Sequence, residues 1–159
     1  MLTAAAVVVG ALVVAAPASA LAHRGTLFRN VRSQLCLTSA GVGEVRMGSC
    51  NGANDWYISV TAHHKWIVDR HYSDPRRCLK ETRNRGVTLA RCRTIFSEEW
   101  TVTTDQYSED WYSNFGSGQC LVGGNTGSVY VRACRNSYRR APILKDTKQL
   151  WSLIPVEQS

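Results

Sequence analysis

The side chains with the most chemistry to offer are six cysteines, and their spacing is regular. Cys36, Cys78 and Cys120 recur with a constant period of 42, as do Cys50, Cys92 and Cys134, and the step within each pair is always 14. Thiols can ligate a metal, act as nucleophiles or close disulfides. The chain holds no Cys-x-x-Cys, His-Glu-x-x-His or His-x-x-Glu-His spacing, so metal ligation is not expected. The start of the chain argues for oxidation instead. Ala4 to Ala16 is an apolar run of mostly Ala and Val that leads to Ala18-Ser19-Ala20, the pattern of a secretory signal peptide over residues 1–20. Export places the chain in an oxidising compartment, where paired cysteines persist as disulfides. The bridges that treat the three units alike are Cys36–Cys50, Cys78–Cys92 and Cys120–Cys134. Each closes a short loop worth about 3 kcal/mol.

The remaining candidates for catalysis are sparse. His63 and His64 are adjacent, so on a strand they face opposite sides and cannot chelate together. His23 and His71 have no motif around them, and Asp69, Asp74, Glu98 and Glu99 could pair only through tertiary folding. There is no Gly-x-Ser-x-Gly, and paired cysteines leave no thiol nucleophile. No catalytic residue, cofactor or metal is expected.

The elements that position the cysteines repeat with them. Cys-Leu opens each unit as Cys36-Leu37, Cys78-Leu79 and Cys120-Leu121. A segment of period two follows, starting at Val45, Val87 and Val129, and ends at the second cysteine. That is the pattern of a half-buried strand, and Gly43, Gly86 and Gly127 just ahead suit a turn. Each unit closes on a tryptophan with further alternation, at Trp56, Trp100 and Trp151. Asn30 and Asn114 are two periods apart and so equivalent, with Tyr72 between them. No segment sustains a helical period. The expected fold is all β, with about four strands in each of three units, at roughly 25–62, 63–104 and 105–155. They form one domain over residues 21–159, because a single unit cannot bury its own apolar face.

Cys-Leu, a strand, a second cysteine and Gln-x-Trp, three times over, resembles the ricin-type β-trefoil. Gln149-Leu150-Trp151 keeps the closing signature, whereas Asn54-Asp55-Trp56 and Glu98-Glu99-Trp100 depart from it. The resemblance assigns Trp56, Trp100, Trp151 and Gln149 to the scaffold. It also implies pockets for galactose-like sugars, each with an acid after Cys-Leu, an aromatic two positions before the second cysteine, and an Asn before the Gln. The acid positions hold Thr38, Lys80 and Val122. The aromatic positions hold Gly48, Ala90 and Arg132, and the Asn positions hold Ala53, Ser97 and Lys148. None of the nine matches.

Comparing the units exposes one insertion. The step from second cysteine to tryptophan is 6, then 8, then 17. The third unit thus adds a loop with Arg135, Tyr138, Arg139, Arg140 and Lys145, residue types that favour interfaces. The formal charge is +7, which favours anionic partners. Together these features point to a secreted, non-catalytic module with degenerate sugar sites, binding another secreted protein as an adaptor or targeting subunit of a bacterial toxin assembly. The alternative is a lectin for glycan or anionic cell-wall polymer, with contacts from Asn51, Asn54 and Tyr57. Neither nucleic acid binding nor a membrane span is expected. The Ala/Val-rich leader and the preference for Arg over Lys fit a high-GC, actinobacterial source.

Overall fold

The computed structural model describes residues 25–156 except 42, 54, 61–63, 73–74, 105–108 and 136–145. Positions 1–24, and with them the expected signal peptide, lie outside the described residues.

Twelve strands follow one another in chain order. They are β1 Thr26–Asn30, β2 Cys36–Ser39, β3 Val45–Gly48, β4 Trp56–Val60, β5 Lys65–Asp69, β6 Arg77–Glu81, β7 Val87–Arg91, β8 Trp100–Thr104, β9 Asp110–Asn114, β10 Gln119–Gly123, β11 Val129–Ala133 and β12 Trp151–Pro155. Two 3₁₀ turns, Phe96–Glu98 and Thr147–Gln149, precede β8 and β12. The expectation of four strands per unit holds.

Six strands close a barrel. β1 pairs with β12 and β4, β5 with β4 and β8, and β9 with β8 and β12, all antiparallel. The ring leaves no free edge among its six members. The hairpins β2–β3, β6–β7 and β10–β11 pack together over the barrel. They are tied in a cycle. The amides of Met47, Leu89 and Val131 donate to the carbonyls of Gly127, Gly43 and Arg85 at 2.8, 3.4 and 2.8 Å. Donors and acceptors each follow the period of the cysteines, so the threefold repeat is written into the backbone bonds.

The core repeats the same rule. Leu37, Leu79 and Leu121 are fully buried and face Met47, Leu89 and Val131 across their hairpins. Trp56, Trp100 and Trp151 are also fully buried. A buried indole N–H needs an acceptor, and each finds the same one. They donate to the carbonyls of Leu37, Leu79 and Leu121 at 3.0, 2.9 and 3.3 Å. The bridges Cys36–Cys50, Cys78–Cys92 and Cys120–Cys134 are all formed, with Cα separations of 4.9 to 5.0 Å. Asn30 and Asn114 also act as equivalents. Each buried amide donates to two carbonyls of the segment ahead of a closing tryptophan, Lys148 and Leu150 for Asn30, Ser97 and Glu99 for Asn114.

Gly86 closes the β6–β7 turn, its carbonyl accepting the Thr82 amide at 2.9 Å. Gly43 and Gly127 have φ of +90°, but Gly86 is not their counterpart. Arg85 takes that place with φ +60°, and its carbonyl makes the equivalent inter-hairpin bond. The second unit thus puts an arginine in a left-handed conformation that the other two give to glycine.

Candidate functional site

The hairpins bring the sugar positions of each unit together. Gly48, Ala90 and Arg132 lie opposite Cys36, Cys78 and Cys120. Thr38, Lys80 and Val122 stand two positions beyond those cysteines on the same strands, so their side chains share that face. In the first unit a groove of about 540 Å³ is lined by Thr38, Gly48 and Asn51, with Glu44, Arg46 and Thr126 around them. In the second, a groove of about 700 Å³ is lined by Lys80, Ala90 and Ser97, with Glu81, Phe96 and Ser117. In the third unit Arg132 fills the aromatic position, and its guanidinium lies 3.7 Å from the Asp146 carboxylate.

Trp56, Trp100, Trp151 and Gln149 are all buried. Gln149 is buried and uses both ends of its amide, donating to the Ala133 carbonyl at 2.9 Å and accepting the Arg135 amide at 3.0 Å. Arg135 therefore anchors the start of the third-unit insertion by its backbone, and the residue is exposed. Tyr138, Arg139, Arg140 and Lys145 lie outside the described residues, as does Asn54. Asn51 is exposed on the first groove, whereas Tyr57 is half-buried on β4 opposite Val68 and does not line it. Asn51 and Tyr57 are thus not brought into one glycan site.

Glu98 occupies the place of Gln149 in the second unit. Its Oε2 accepts the Arg93 amide at 2.6 Å. Its Oε1, where the glutamine amide donates, is buried without a hydrogen-bond partner, and the Lys80 ammonium stands 3.9 Å away. Burial pushes the carboxyl pKa above its ordinary value, against the opposing pull of the Arg93 amide and the Lys80 and Arg93 charges. Tyr112 in the core is also raised, by burial first and by the Asp110 carboxylate second, to which its hydroxyl donates at 3.2 Å.

Two features of the second groove escape a test of the nine positions. Phe96 projects from the 3₁₀ turn and is 65% exposed, packed edge-on against Phe115. His64 stacks on the Phe115 ring, with 3.6 Å between centroids. Glu81, one position beyond the acid position, accepts the Ser117 hydroxyl at 2.6 Å. An acid and an aromatic face therefore border one groove without occupying the positions the resemblance names. Among the described residues no three or more of His, Cys, Asp and Glu converge as metal ligands, and no helix is long and apolar enough to cross a membrane.

A closed six-stranded barrel with three hairpins in cyclic contact is a β-trefoil, and open grooves on its hairpins make it a binding scaffold. The chain matches the description "Ricin-type beta-trefoil lectin domain" over residues 24–141 and belongs to that family. Among solved structures it is similar to the designed threefold symmetric protein ThreeFoil, with 16% identity and a TM-score of 0.66 over 82% of this chain and 98% of that one. It is also similar to the Haemophilus ducreyi cytolethal distending toxin, with 13% identity and a TM-score of 0.66 over 85% and 86%. A third likeness is to the GlcNAcα1-4Gal releasing endo-β-galactosidase from Clostridium perfringens, with 16% identity and a TM-score of 0.68 over 84% of this chain. The chain spans 33% of that enzyme's length. At these identities the likeness is one of fold. No curated protein matches the sequence.

Proposed function

We propose that the protein is an exported, non-catalytic trefoil that binds another secreted protein, as an adaptor or targeting subunit of a bacterial toxin assembly. The observation that carries this reading is the contrast between the kept disulfides, tryptophan bonds and hairpin cycle and the unmatched sugar positions. All three disulfides, all three Trp-to-Leu bonds and the hairpin cycle are present, while Thr38, Lys80 and Val122 stand where acids are implied. A groove with neither stacking ring nor hydroxyl acceptor at those positions has little with which to orient galactose. Likeness to a cytolethal distending toxin supports a trefoil serving in a toxin particle, and the three disulfides suit an extracellular setting. The protein purified from its producing culture at native mass should carry a stoichiometric second chain. Reversing charge at Arg139 and Arg140 to Glu should weaken that complex without unfolding the trefoil. Recovery as a bare monomer would count decisively against the adaptor.

Glycan binding is the second reading, favoured by the neighbouring Glu81 and Phe96 of the second groove. Saturable binding of galactose-type glycans, competed by free sugar, would sink the claim that the implied positions are empty.

A further inference from the structure

One hairpin carries a dense run of cations. Between positions 76 and 93 stand Arg76, Arg77, Lys80, Arg83, Arg85, Arg91 and Arg93, against the single acid Glu81. That segment carries a net +6 (7 − 1). It is β6, β7 and their turn, and it forms one wall of the second groove. Glu81 is tied back to Ser117, and only Lys80 of the seven has a carboxylate within 4 Å among the described residues, the buried Glu98. Arg76, Arg83, Arg85, Arg91 and Arg93 are exposed.

Two placements oppose stability and so ask for another reason. Arg77 and Arg91 are cross-strand partners, and like charges directly opposite are unfavourable, which for Arg77 is set against the Tyr72 ring 5.8 Å from its guanidinium. Arg85 holds the left-handed conformation that glycine holds in the other units. In the groove that Lys80 and Arg83 line, the exposed ring of Phe96 offers a flat apolar face, of the kind that marks a contact surface when it adjoins a groove.

We infer that the β6–β7 hairpin and its groove bind an acidic saccharide, with the arginines taking its carboxylate or sulfate groups and Phe96 stacking on a sugar ring. Guanidinium forks match such anions in pairs. A shallow groove of about 700 Å³ admits a ring from a longer chain. The inference deepens the glycan-binding reading and rests on it. It does not depend on the adaptor reading.

Binding is measured at physiological salt to heparin, to polygalacturonate, to a neutral galactan, to polyglutamate and to vesicles containing phosphatidylserine. The full-length protein should bind heparin and polygalacturonate. The pair Arg83→Ser with Arg93→Ser should lose on the order of tenfold affinity for both, with a shallower salt dependence. Removing two exposed cations of the first unit, Arg32→Ser with Arg46→Ser, should change binding far less. Phe96→Ala should weaken the two acidic saccharides and leave polyglutamate unchanged. Equal losses from the two arginine pairs would reduce the effect to net charge and overturn the inference. Tighter binding to vesicles or polyglutamate than to either saccharide would assign the patch to a lipid or protein partner instead. Binding of the neutral galactan, indifferent to Arg83 and Arg93, would overturn the acidic class while keeping a glycan site. Binding to no saccharide would end both.

Discussion

The hairpins of the second and third units have the same backbone and opposite surfaces. Their registers match pair for pair, Arg77↔Arg91 to Glu81↔Val87 in one and Gln119↔Ala133 to Gly123↔Val129 in the other. Inside, both bury Leu and an apolar partner. At the other pairs, Arg77 and Arg91 of the second unit stand where the third has Gln119 and Ala133. Lys80 and Thr88 likewise correspond to Val122 and Tyr130. Turn and closing signature differ as well: Arg85 for Gly127, Glu98 for Gln149. The period keeps the core leucines and their partners and leaves other hairpin positions free to diverge, the buried Val122 among them.

The largest expected effect falls on what the two units share. Trp100→Ala and Trp151→Ala each remove a fully buried indole and the hydrogen bond it donates to the carbonyl of Leu79 or Leu121. Each should cost about 3–5 kcal/mol in urea unfolding. A difference of severalfold between the two would break the equivalence of the units. Next come the disulfides. Cys78→Ser with Cys92→Ser, and Cys120→Ser with Cys134→Ser, should each cost about 3 kcal/mol, and peptide mapping of the native protein should show no bridge between units.

Smaller effects read the differences. Glu98→Gln restores the donor that Gln149 provides and should stabilise the protein near neutral pH by about 1 kcal/mol. The sign follows from linkage. The folded carboxyl binds its proton more tightly than the unfolded one, whose value is near 4.5. Stability from that proton is therefore full below the unfolded pKa and lost as pH rises through the raised folded one. The advantage of the Glu98→Gln variant should accordingly shrink in acid, as measured by melting the two proteins from pH 4 to pH 7. A constant advantage would mean that Glu98 does not titrate differently on folding. Least of all, Arg85→Gly should relieve the left-handed backbone for a gain of about 0.5 kcal/mol, since glycine also adds freedom to the unfolded chain. The same change should weaken polyanion binding, which separates stability from function at one residue.

The scaffold was legible in the sequence because its features recur at one fixed period. Cysteines, core leucines and the Asn30/Asn114 pair each appear where that period puts them, and a tryptophan closes every unit. Gly86 was legible as a turn glycine, but which residue takes the left-handed backbone is a property of register. Register places Arg85 there. Phe96 was invisible to a test of fixed positions, since a short 3₁₀ turn decides that its ring faces out. The concentration of charge between positions 76 and 93 was countable from the sequence, but only the fold shows Arg77 facing Arg91 and brings Lys80 and Arg83 to one groove with Phe96. Asn51 and Tyr57 are close in sequence, yet only Asn51 lines the first groove, because Tyr57 belongs to β4 in the barrel wall.

The central claim is that the trefoil keeps its scaffold, has lost the implied sugar positions and binds through other surfaces. A glycan array probed with the disulfide-intact, full-length protein tests it most directly. The account predicts no saturable signal from galactose-terminated neutral glycans and signal from acidic ones that falls on Arg83→Ser with Arg93→Ser. Saturable binding of a neutral galactoside, displaced by free galactose and unchanged by those substitutions, would contradict it.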